Sequence, residues 1–382
     1  MTLPDNTFPP EWLNRFSRQI GVPGVGTDGQ RRIADARVLV IGAGGLGIPI
    51  VQYLAAAGIG RLGIADDDIV ELSNLQRQPV YREADVGRNK TERIAEVVRE
   101  QNSSVILDIY NQRVSEGNVR SLIRNYDIIA DATDNFATRY GVNDACVLEN
   151  KPMVYGSVFR YEGQVALFNV QDGKGEFGPN FRDLFPKPPP PELAPNCAEA
   201  GVFGALPGII GSIQAMEVIK WIIGAGDLLD GRILLFDGGN MSTRTITIPE
   251  SGAREHIQSI RFTEAACSSV SVNEITPETL RDWMEHGKEF VLVDVREPHE
   301  RELVHIGGDH IPESQNNRSA GQDAIARLIR PEIPTVVYCR SGARSRQAVL
   351  KLQKCRDYRH LYNLEGGILA WIDRVNPDLP PC

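Results

Sequence analysis

A glycine-rich turn between an apolar strand and an apolar helix constrains the fold of this chain more than any other feature. Residues 38–41 read Val-Leu-Val-Ile, residues 42–47 read Gly-Ala-Gly-Gly-Leu-Gly, and an apolar run follows to Gly58. This order is the pattern of a βαβ nucleotide-binding unit. The glycines let the backbone approach a phosphate, and the helix N-terminus offers free N–H groups to that anion. The sequence therefore predicts a nucleotide site on an α/β sheet.

An acidic residue and a polar segment follow the next predicted strand, which covers residues 61–65. Asp66 lies roughly 20 residues beyond Gly47, the spacing expected of an acid that binds a ribose. The pattern is therefore compatible with an NAD-dependent oxidoreductase, which stays open as an alternative. Residues 73–77 read Ser-Asn-Leu-Gln-Arg, a segment that is not typical of a dehydrogenase.

With this segment the sequence resembles the MoeB/ThiF family, the bacterial relatives of ubiquitin-activating enzymes, over residues 10–250. The resemblance implies a Rossmann-like doubly wound sheet that binds ATP with Mg²⁺. It also implies a homodimer. The reaction it implies is adenylation of the C-terminal glycine of a small ubiquitin-like sulfur-carrier protein that ends in Gly-Gly.

Adenylation needs cations more than it needs a base, because the attacking carboxylate is already an anion and is repelled by the triphosphate. The resemblance implies that Asp66 binds the ribose hydroxyls, that Asp134 holds magnesium, and that Arg18 reaches ATP in the partner subunit. It gives Arg18, Arg77 and Asp134 catalytic roles. The nucleotide-binding residues that it implies are Gly42, Gly44, Gly45, Gly47, Asp66, Ser73, Asn74, Leu75, Gln76, Arg77, Lys90, Asp134 and Asn135.

A second chemical motif occupies residues 338–345, which read Tyr-Cys-Arg-Ser-Gly-Ala-Arg-Ser between a predicted buried strand and a predicted helix. Such a loop can wrap backbone N–H groups around one sulfur atom. Arg340, Arg344 and the helix N-terminus are expected to lower the pKa of the Cys339 thiol and to stabilise a thiolate or persulfide. The predicted persulfide loop comprises Arg340, Ser341, Gly342, Ala343 and Arg344. The alternative is an inert buried cysteine.

This loop and three further motifs resemble the rhodanese family over residues 272–376. The further motifs are Asp-Val-Arg-Glu at 294–297, His-Ile-Pro at 310–312, and the closing residues Gly366, Gly367 and Trp371. The resemblance implies that Cys339 carries sulfur from a donor, such as a cysteine desulfurase or thiosulfate, to the activated carrier. The product would be a carrier thiocarboxylate. A phosphatase loop would be one residue longer, and a non-catalytic adaptor would not need the intact loop.

The remaining cysteines are assigned by resemblance or by their isolation. Cys197 matches the cysteine of the adenylation domain that can bond covalently to the activated carrier, and it is predicted to be catalytic. The other thiols have no such match and are predicted to be non-catalytic: Cys146, Cys267, Cys355 and Cys382.

One departure from the MoeB/ThiF pattern concerns zinc. Many relatives hold zinc with two Cys-x-x-Cys pairs. Residues 178–183 instead read Gly-Pro-Asn-Phe-Arg-Asp at the first place, and residues 245–255 contain no cysteine at the second. A tetrahedral four-cysteine site cannot be built from the other thiols. No structural zinc is therefore expected.

Charge and composition set the remaining expectations. The net charge of −9 argues against a nucleic-acid-binding protein. Residues 1–19 are polar and contain proline, unlike a signal peptide. The apolar run over residues 202–223 is interrupted by Gly, Pro, Gln, Glu and Lys, which indicates a buried helix rather than a membrane span. A cytoplasmic protein without a membrane partner is expected.

A change in composition after residue 249 divides the chain. We expect an adenylation domain over residues 1–250, a linker over residues 251–271 and a rhodanese-like domain over residues 272–382. The alternation of strands and helices predicts a parallel sheet in the first domain and a smaller α/β unit in the second. In the first domain, a helix is predicted over residues 85–101 and a final strand over residues 232–236.

Overall fold

The computed structural model describes residues 8–188, 201–249, 251–262, 272–312, 325–330, 332–355 and 360–380. The chain divides into two compact units, Met1–Ala266 and Cys267–Cys382. Each unit has its own sheet, and a hydrophobic core lies on each face of that sheet.

The first unit alternates helices with strands over most of its length. Its helices are α1 (Pro10–Ile20), α2 (Gly26–Asp35), α3 (Gly47–Ala57), α4 (Lys90–Gln101), α5 (Val119–Ile123), α6 (Phe136–Leu148), α7 (Phe181–Leu184) and α8 (Ala205–Ile223). Its strands are β1 (Arg37–Ile41), β2 (Arg61–Ala65), β3 (Ile106–Tyr110), β4 (Ile128–Asp131), β5 (Met153–Phe159), β6 (Glu162–Phe168), β7 (Arg232–Asp237) and β8 (Ser242–Thr247).

These strands form one sheet in the order β3-β2-β1-β4-β5-β6-β7-β8. The pairs from β3 to β5 are parallel, whereas the pairs from β5 to β8 are antiparallel. The predicted parallel sheet is therefore only the first part of a mixed sheet. The connection between β5 and β6 consists of Arg160 and Tyr161 alone, which suits an antiparallel hairpin and is too short for a parallel crossover.

Two predicted boundaries in this unit are wrong for local reasons. The strand at residues 232–236 is not the final one, because β8 follows it; β8 is exposed along its whole length, so no buried face marks it in the sequence. The helix predicted over residues 85–101 begins only at Lys90. Glu83–Asp85 forms a separate 3₁₀ turn, and Gly87 has a φ of 89°, which an α-helix does not tolerate.

Helices cover both faces of the sheet, which confirms the doubly wound architecture. In β1, Val38 and Val40 belong to the core that contains α3, α4 and α8, while Leu39 and Ile41 belong to the core that contains α5 and α6. This alternation follows from the two-residue period of a strand. The carboxyl ends of β1, β2 and β4 meet at one edge, where α3 and α6 begin.

Helix α8 is long and apolar enough to cross a membrane by length and composition, and half of its apolar window is buried. Its buried residues pack in the core with α3 and the sheet. Two of its polar side chains are engaged inside the unit. Gln214 donates to the Asp131 carbonyl oxygen at 2.8 Å, and Glu217 accepts the Leu229 N–H at 2.9 Å. We interpret α8 as a core helix.

The segment that the sequence assigns to a linker starts with residues that contact the first unit. Arg254 donates to the side chains of Asn169 and Asn150. The backbone N–H of Arg261 donates to an Asp144 carboxylate oxygen at 3.0 Å. The described part of this segment is therefore fixed to the first unit by side chains as well as by the backbone.

The second unit is a smaller α/β unit with a wholly parallel sheet in the order β11-β10-β12-β13-β9. Residues 325–328 are helical as well. The other elements are β9 (Asn273–Ile275), α9 (Pro277–Glu285), β10 (Val291–Asp294), α10 (Pro298–Leu303), β11 (Asp309–His310), β12 (Thr335–Tyr338), α11 (Ala343–Cys355), β13 (Leu361–Leu364) and α12 (Gly367–Arg374). The central strand β12 is buried at every position and leads through a short loop into α11.

Candidate functional site

A cavity of about 520 Å³ opens at the edge of the first sheet where β1, β2 and β4 end. It is lined by the turn after β1, the acidic segment after β2, the start of α4 and the loop after β4. The predicted nucleotide-binding residues that line it are Gly42, Gly44, Gly45, Asp66, Asn74, Arg77, Lys90, Asp134 and Asn135. Separate segments of the chain thus bring their predicted residues to one place.

Two glycines allow the turn and α3 to lie close together. Gly42 has a φ of 103°, and a Cβ atom there would lie 2.7 Å from the Ala132 carbonyl oxygen. A Cβ atom at Gly47 would lie 1.8 Å from the Gly42 carbonyl oxygen, so only glycine lets the helix begin here. Gly47 does not itself line the cavity, and this packing is a sufficient reason for glycine at that position.

Asp66 braces the glycine turn against the end of β2. Its Oδ2 accepts the Ala43 N–H at 2.6 Å, and its Oδ1 accepts the Asp68 N–H at 2.8 Å. Burial raises the pKa of Asp66, although these two hydrogen bonds oppose the rise. The carboxylate therefore lines the cavity in a fixed orientation.

Lys90 is a largely buried cation of the cavity. Its side chain is 6% exposed, and its Nζ donates at 2.7 Å to an oxygen of Asp68, whose side chain is 66% exposed. A bound phosphate would therefore compete with a solvated carboxylate for this ammonium group. Asp67 and Asp68 also line the cavity. Sequence reasoning missed both, although the run of three aspartates after β2 was a visible signal.

The next segment places Asn74 and Arg77 at the cavity. Leu72–Asn74 forms a 3₁₀ turn in which the Asn74 side chain accepts the Glu71 N–H at 3.1 Å. Arg77 donates to the Ser73 carbonyl oxygen at 2.8 Å, which anchors its guanidinium on the same turn. The predicted residues of this segment that do not line the cavity are Ser73, Leu75 and Gln76.

A buried ion pair lies beneath the loop that carries Asp134. Asp131 is fully buried, and its Oδ1 accepts the Thr133 N–H at 3.0 Å and the Thr133 hydroxyl at 2.7 Å. Arg139 lies 3.6 Å from the other Asp131 oxygen and donates to the carbonyl oxygens of Thr133 and Gly156. Burial raises the pKa of Asp131 even beside this guanidinium. These contacts fix the loop that presents the exposed Asp134 carboxylate to the cavity.

The lining suits a triphosphate with magnesium. Mg²⁺ prefers oxygen ligands, and Asp134 supplies an exposed carboxylate that could hold it. Arg77 and Lys90 supply positive charge, while the N-terminus of α3 follows the glycine turn. Gly42, Gly44 and Gly45 line the cavity without side chains.

Arg18 is exposed on α1 and does not line the cavity of its own chain. Its predicted place is in the partner subunit, so that role stays a prediction. Other lining residues had no motif to mark them, because they come from loops and helix starts that the fold brings in: Glu71, Gln78, Gln112, Arg113, Thr133, Thr138 and Arg139.

In the second unit, Cys339 follows β12 and is fully buried. Its Sγ accepts the Gly342 N–H at 3.2 Å and the Ser345 hydroxyl at 3.3 Å. Gly342 has a φ of 90°, which turns the loop back toward the sulfur. Such donors stabilise a negatively charged sulfur. Ser345 lies outside the predicted persulfide loop, and its hydroxyl is a contact that sequence reasoning missed.

The start of α12 supports this loop from behind. The Ile368 N–H donates to the Cys339 carbonyl oxygen at 2.9 Å, and the Leu369 N–H donates to the Arg340 carbonyl oxygen at 3.1 Å. A Cβ atom at Gly367 would lie 2.5 Å from the Cys339 carbonyl oxygen. Close backbone packing thus explains Gly367 of the closing motif.

Arg344 is held by an acidic residue from α10. Its two terminal nitrogens donate to the two carboxylate oxygens of Glu300 at 2.7 Å and 2.6 Å. The residues are 44 positions apart, so no local motif pairs them. The expectation that Arg344 acts on the thiol is therefore incomplete, because Glu300 offsets its charge. Arg340 is exposed in the loop.

The Asp-Val-Arg-Glu motif forms a buried brace beside β12. Arg296 is fully buried and donates to the Asp294 carboxylate at 3.0 Å and 2.7 Å and to the Val304 carbonyl oxygen at 2.8 Å. The His310 Nε2 lies 2.8 Å from the Arg296 carbonyl oxygen. The Asp-Val-Arg-Glu and His-Ile-Pro motifs, which are separate in the sequence, therefore meet at the carboxyl end of β10 and stabilise it.

Several cysteines whose roles were predicted lie outside the residues that the structure describes, namely Cys197, Cys267 and Cys382. The side chain of Cys355 lies outside the description as well. The catalytic role of Cys197 stays a prediction. Cys146 is buried in α6, and burial raises the pKa of its thiol well above the ordinary value. A buried, protonated thiol of this kind is a poor nucleophile.

Polar side chains occupy the first place where the resemblance to the MoeB/ThiF family implies a pair of zinc-binding cysteines. One oxygen of Asp183 accepts the N–H and the side-chain amide of Asn180 at 2.8 Å and 2.7 Å. The other accepts the N–H and the hydroxyl of Ser251 at 2.8 Å and 2.6 Å. These oxygens are satisfied by protein donors, whereas a four-cysteine zinc site requires four thiolates. The residues present do not fit that metal.

Comparison with protein families assigns both units. Residues 16–256 match the ThiF family, and residues 276–374 match the rhodanese-like domain. A relative from Mycobacterium tuberculosis, named "Probable adenylyltransferase/sulfurtransferase MoeZ", is 42% identical over 98% of this chain and 97% of its own length. One from Mus musculus, named "Adenylyltransferase and sulfurtransferase MOCS3", is 38% identical over 96% of this chain and 86% of its own length.

Solved structures of low sequence identity share the fold. A crystal structure of E. coli MccB superimposes with a TM-score of 0.55 at 21% identity and covers 69% of this chain and 78% of MccB. A structure titled as E. coli MccB with ATP gives a TM-score of 0.53 at 23% identity over 64% of this chain and 74% of MccB. At such identity the likeness speaks for the fold alone.

Proposed function

Because the chain belongs to the ThiF family and carries a rhodanese-like domain, we propose that it activates and then thiolates a small ubiquitin-like sulfur-carrier protein. ATP adenylates the C-terminal glycine of the carrier, and sulfur then replaces AMP to give a thiocarboxylate. The chain is an adenylyltransferase and sulfurtransferase of the type named in its relatives. The identity of the carrier, its Gly-Gly terminus and the sulfur donor are parts of the proposal.

The observation that carries this proposal is that one chain holds both a charged nucleotide cavity and a loop that closes on one cysteine sulfur. An oxidoreductase would have no use for the second site. A protein that only binds partners would need neither the cations of the first site nor the hydrogen-bond donors of the second.

In the adenylation step, the terminal carboxylate of the carrier attacks the α-phosphorus of ATP, and pyrophosphate leaves with the bonding electron pair. Asp66 receives the ribose, and the glycine turn lets the phosphates approach the backbone. Arg77 and Lys90 offset the negative charge of the phosphates. Magnesium, held by Asp134 when bound, supplies further positive charge.

In the sulfur step, the terminal sulfur of a Cys339 persulfide attacks the carbonyl carbon of the acyl adenylate, and AMP leaves. The carrier is then joined to Cys339 through a disulfide bond. An external thiol attacks that bond at the Cys339 sulfur and releases the thiocarboxylate, and a second equivalent of the external thiol restores the Cys339 thiol. Cys197 assists by holding the activated carrier in a covalent intermediate, and the reaction takes place in the cytoplasm.

The direct test measures the exchange of labelled pyrophosphate into ATP, with magnesium and candidate carriers that end in Gly-Gly. Exchange that depends on the carrier is expected, and Asp134→Asn should reduce it by about 100-fold. Failure of every plausible carrier to support exchange would refute the adenylation half. Tight binding of NAD without binding of ATP would favour an oxidoreductase instead.

The predicted homodimer has its own test, because Arg18 is expected to act in the partner subunit. Arg18→Ala and Lys90→Ala should each abolish exchange as homodimers. After the two variants are mixed, heterodimers contain one intact site, so about a quarter of the original activity should return. If mixing restores no activity although heterodimers form, Arg18 does not act in trans.

A further inference from the structure

Arg344 and Arg346 at the start of α11 form ion pairs that differ in their exposure to water. Arg344 forms a bidentate pair with Glu300 in which the two side chains are only 12% and 18% exposed. Arg346 pairs with Glu274 at 3.1 Å, but that pair is largely solvated, with side chains 52% and 32% exposed. Charges that are shielded from water interact more strongly than solvated charges. Glu300 is therefore the acidic group with the larger electrostatic effect on the loop.

Glu300 is held in this position from two sides. The Glu297 N–H donates to one of its carboxylate oxygens at 3.0 Å, which caps α10. Burial alone would raise the pKa of Glu300, but Arg344 keeps it below its ordinary value. The carboxylate is thus ionised and ordered at neutral pH.

Arg344 and the reacting Cys339 belong to the same short loop. Arg344 immediately precedes Ser345, whose hydroxyl lies 3.3 Å from the Cys339 Sγ. Arg344 belongs to the loop that closes on the thiol, so its charge contributes to the electrostatic field that an incoming anion experiences at this loop. Glu300 places a negative charge at the same point.

We propose that Glu300 is a specificity-determining residue that disfavours small, doubly charged sulfur donors at Cys339 and leaves sulfur delivery to donors recognised elsewhere on their surface. This inference rests on the proposed sulfur transfer. By offsetting Arg344, Glu300 removes attraction that a dianion such as thiosulfate needs. A persulfide presented by a protein does not depend on that attraction, because its affinity comes from a larger interface.

The reaction with thiosulfate shows why the charge matters. The Cys339 thiolate attacks the outer sulfur of thiosulfate, a sulfur–sulfur bond forms, and the original bond breaks so that sulfite leaves with its electron pair. Cyanide then removes the outer sulfur as thiocyanate and regenerates the thiolate. No oxidant is needed. Two anions must meet in the first step, so one additional cation should accelerate it.

The test compares thiosulfate–cyanide sulfur transfer by the full chain and by Glu300→Gln, a change that retains a side-chain oxygen for the Glu297 N–H. We expect kcat/KM for thiosulfate to rise about tenfold, mainly through KM, and the gain to fade at 1 M salt, where the Debye length is about 3 Å. Glu274→Gln is the matched control and should leave kcat/KM unchanged. The double variant Glu300→Gln with Arg344→Gln should lose this gain, because it lacks the cation that Glu300 offsets.

A second measurement separates this inference from the function on which it rests. Cysteine and a cysteine desulfurase are supplied as the donor, and mass spectrometry follows the addition of one sulfur atom to Cys339. If the full chain and Glu300→Gln load Cys339 equally from the desulfurase and also have equal kcat/KM for thiosulfate, the proposed role of Glu300 is wrong. The proposed sulfur transfer would still stand. A gain that persists in the double variant would overturn it as well. If neither donor loads Cys339 in any variant, the proposed sulfur transfer itself is refuted.

Discussion

The two candidate sites occupy the same place in their sheets but hold an anion in opposite ways. Each follows the carboxyl end of a central parallel strand, β1 or β12, where a loop containing glycine leads into a helix. In the first unit, separate segments surround an open cavity of about 520 Å³. In the second unit, one short loop closes on the fully buried Cys339.

The difference follows from the chemistry. ATP must enter and leave, so its site needs volume and several cations on different elements. Sulfur carried on a cysteine is already attached, so its site needs only hydrogen-bond donors around one atom. Side-chain substitutions should therefore dominate losses at the first site, while backbone geometry matters most at the second.

The largest expected effect is a complete separation of the two activities. Cys339→Ala should reduce thiocarboxylate formation to background, because no other group can carry the sulfur at that loop. Pyrophosphate exchange should stay within about twofold of its original rate, because the adenylation site is in the other unit. Mass spectrometry of the carrier and the exchange assay measure the two effects in the same preparation.

Asp134→Asn provides the reciprocal control. It should reduce exchange by about 100-fold while the loading of Cys339 from a sulfur donor continues. Undiminished thiocarboxylate formation by Cys339→Ala would show that sulfur reaches the acyl adenylate by another route. The contrast between the two sites would then lose its functional meaning.

The second-largest expected effect tests whether positive charge in the nucleotide cavity promotes adenylation. Arg77→Ala should lower exchange by about 100-fold, because a cation beside the phosphates is lost. Arg77→Lys should recover part of that loss, since lysine keeps the charge but not the planar geometry. Steady-state exchange at saturating ATP measures both. Equal activity of the unaltered chain, Arg77→Ala and Arg77→Lys would show that Arg77 takes no part in adenylation.

Sequence motifs predicted both sites to the extent that their residues are close in the chain. The glycine turn and the loop after β12 were predicted because strand, loop and helix are consecutive. The antiparallel part of the sheet was not, because its strand directions are set by the pairing from β5 to β8, and the exposed strand β8 carries no pattern of burial. The pairs Lys90–Asp68 and Arg344–Glu300 were missed for a different reason, since their partners are 22 and 44 positions apart and meet only after folding.

A third prediction concerns the buried Asp183 carboxylate, which lies where the resemblance to the MoeB/ThiF family implies a zinc-binding cysteine. Asp183→Ala should destabilise the first unit by about 2–4 kcal/mol, because the buried donors of Asn180 would lose their acceptor and the hydrogen bonds from Ser251 would be lost as well. Urea unfolding followed by Trp fluorescence measures the change. The unaltered chain should also retain its unfolding midpoint after treatment with a zinc chelator.

Asp172→Ala is the matched control for this experiment. Asp172 accepts the N–H groups of Lys174 and Glu176 at 2.8 Å and 2.9 Å, but it is exposed. Its removal should cost at most about 1 kcal/mol, because water can replace the lost acceptor. Similar losses for both aspartates, or stoichiometric zinc in the purified protein, would contradict a metal-free hydrogen-bonded anchor at Asp183.

The smallest expected change in the free energy of unfolding comes from alanine substitutions at Gly342 and Gly307. Their comparison is the most specific test of the second site. Gly342 has a φ of 90°, and a Cβ atom there would lie 3.1 Å from the Leu364 carbonyl oxygen. Gly307 has a φ of 94°, and among the residues that the structure describes nothing lies within 4 Å of its added Cβ. Both changes to alanine should cost about 1 kcal/mol through backbone strain, as measured by thermal unfolding.

Only Gly342→Ala should also alter the chemistry. Its N–H donates to the Cys339 Sγ at 3.2 Å, and a shift of the backbone away from Leu364 would lengthen that bond. Sulfur transfer should therefore fall about tenfold in Gly342→Ala and stay unchanged in Gly307→Ala, since a hydrogen bond to a charged group contributes about 1.5–3 kcal/mol. Equal rates in the two variants would mean that the backbone N–H does not stabilise the reacting sulfur. The proposed contrast would then be wrong at the second site, because stabilisation there would have to come from side chains as it does in the nucleotide cavity.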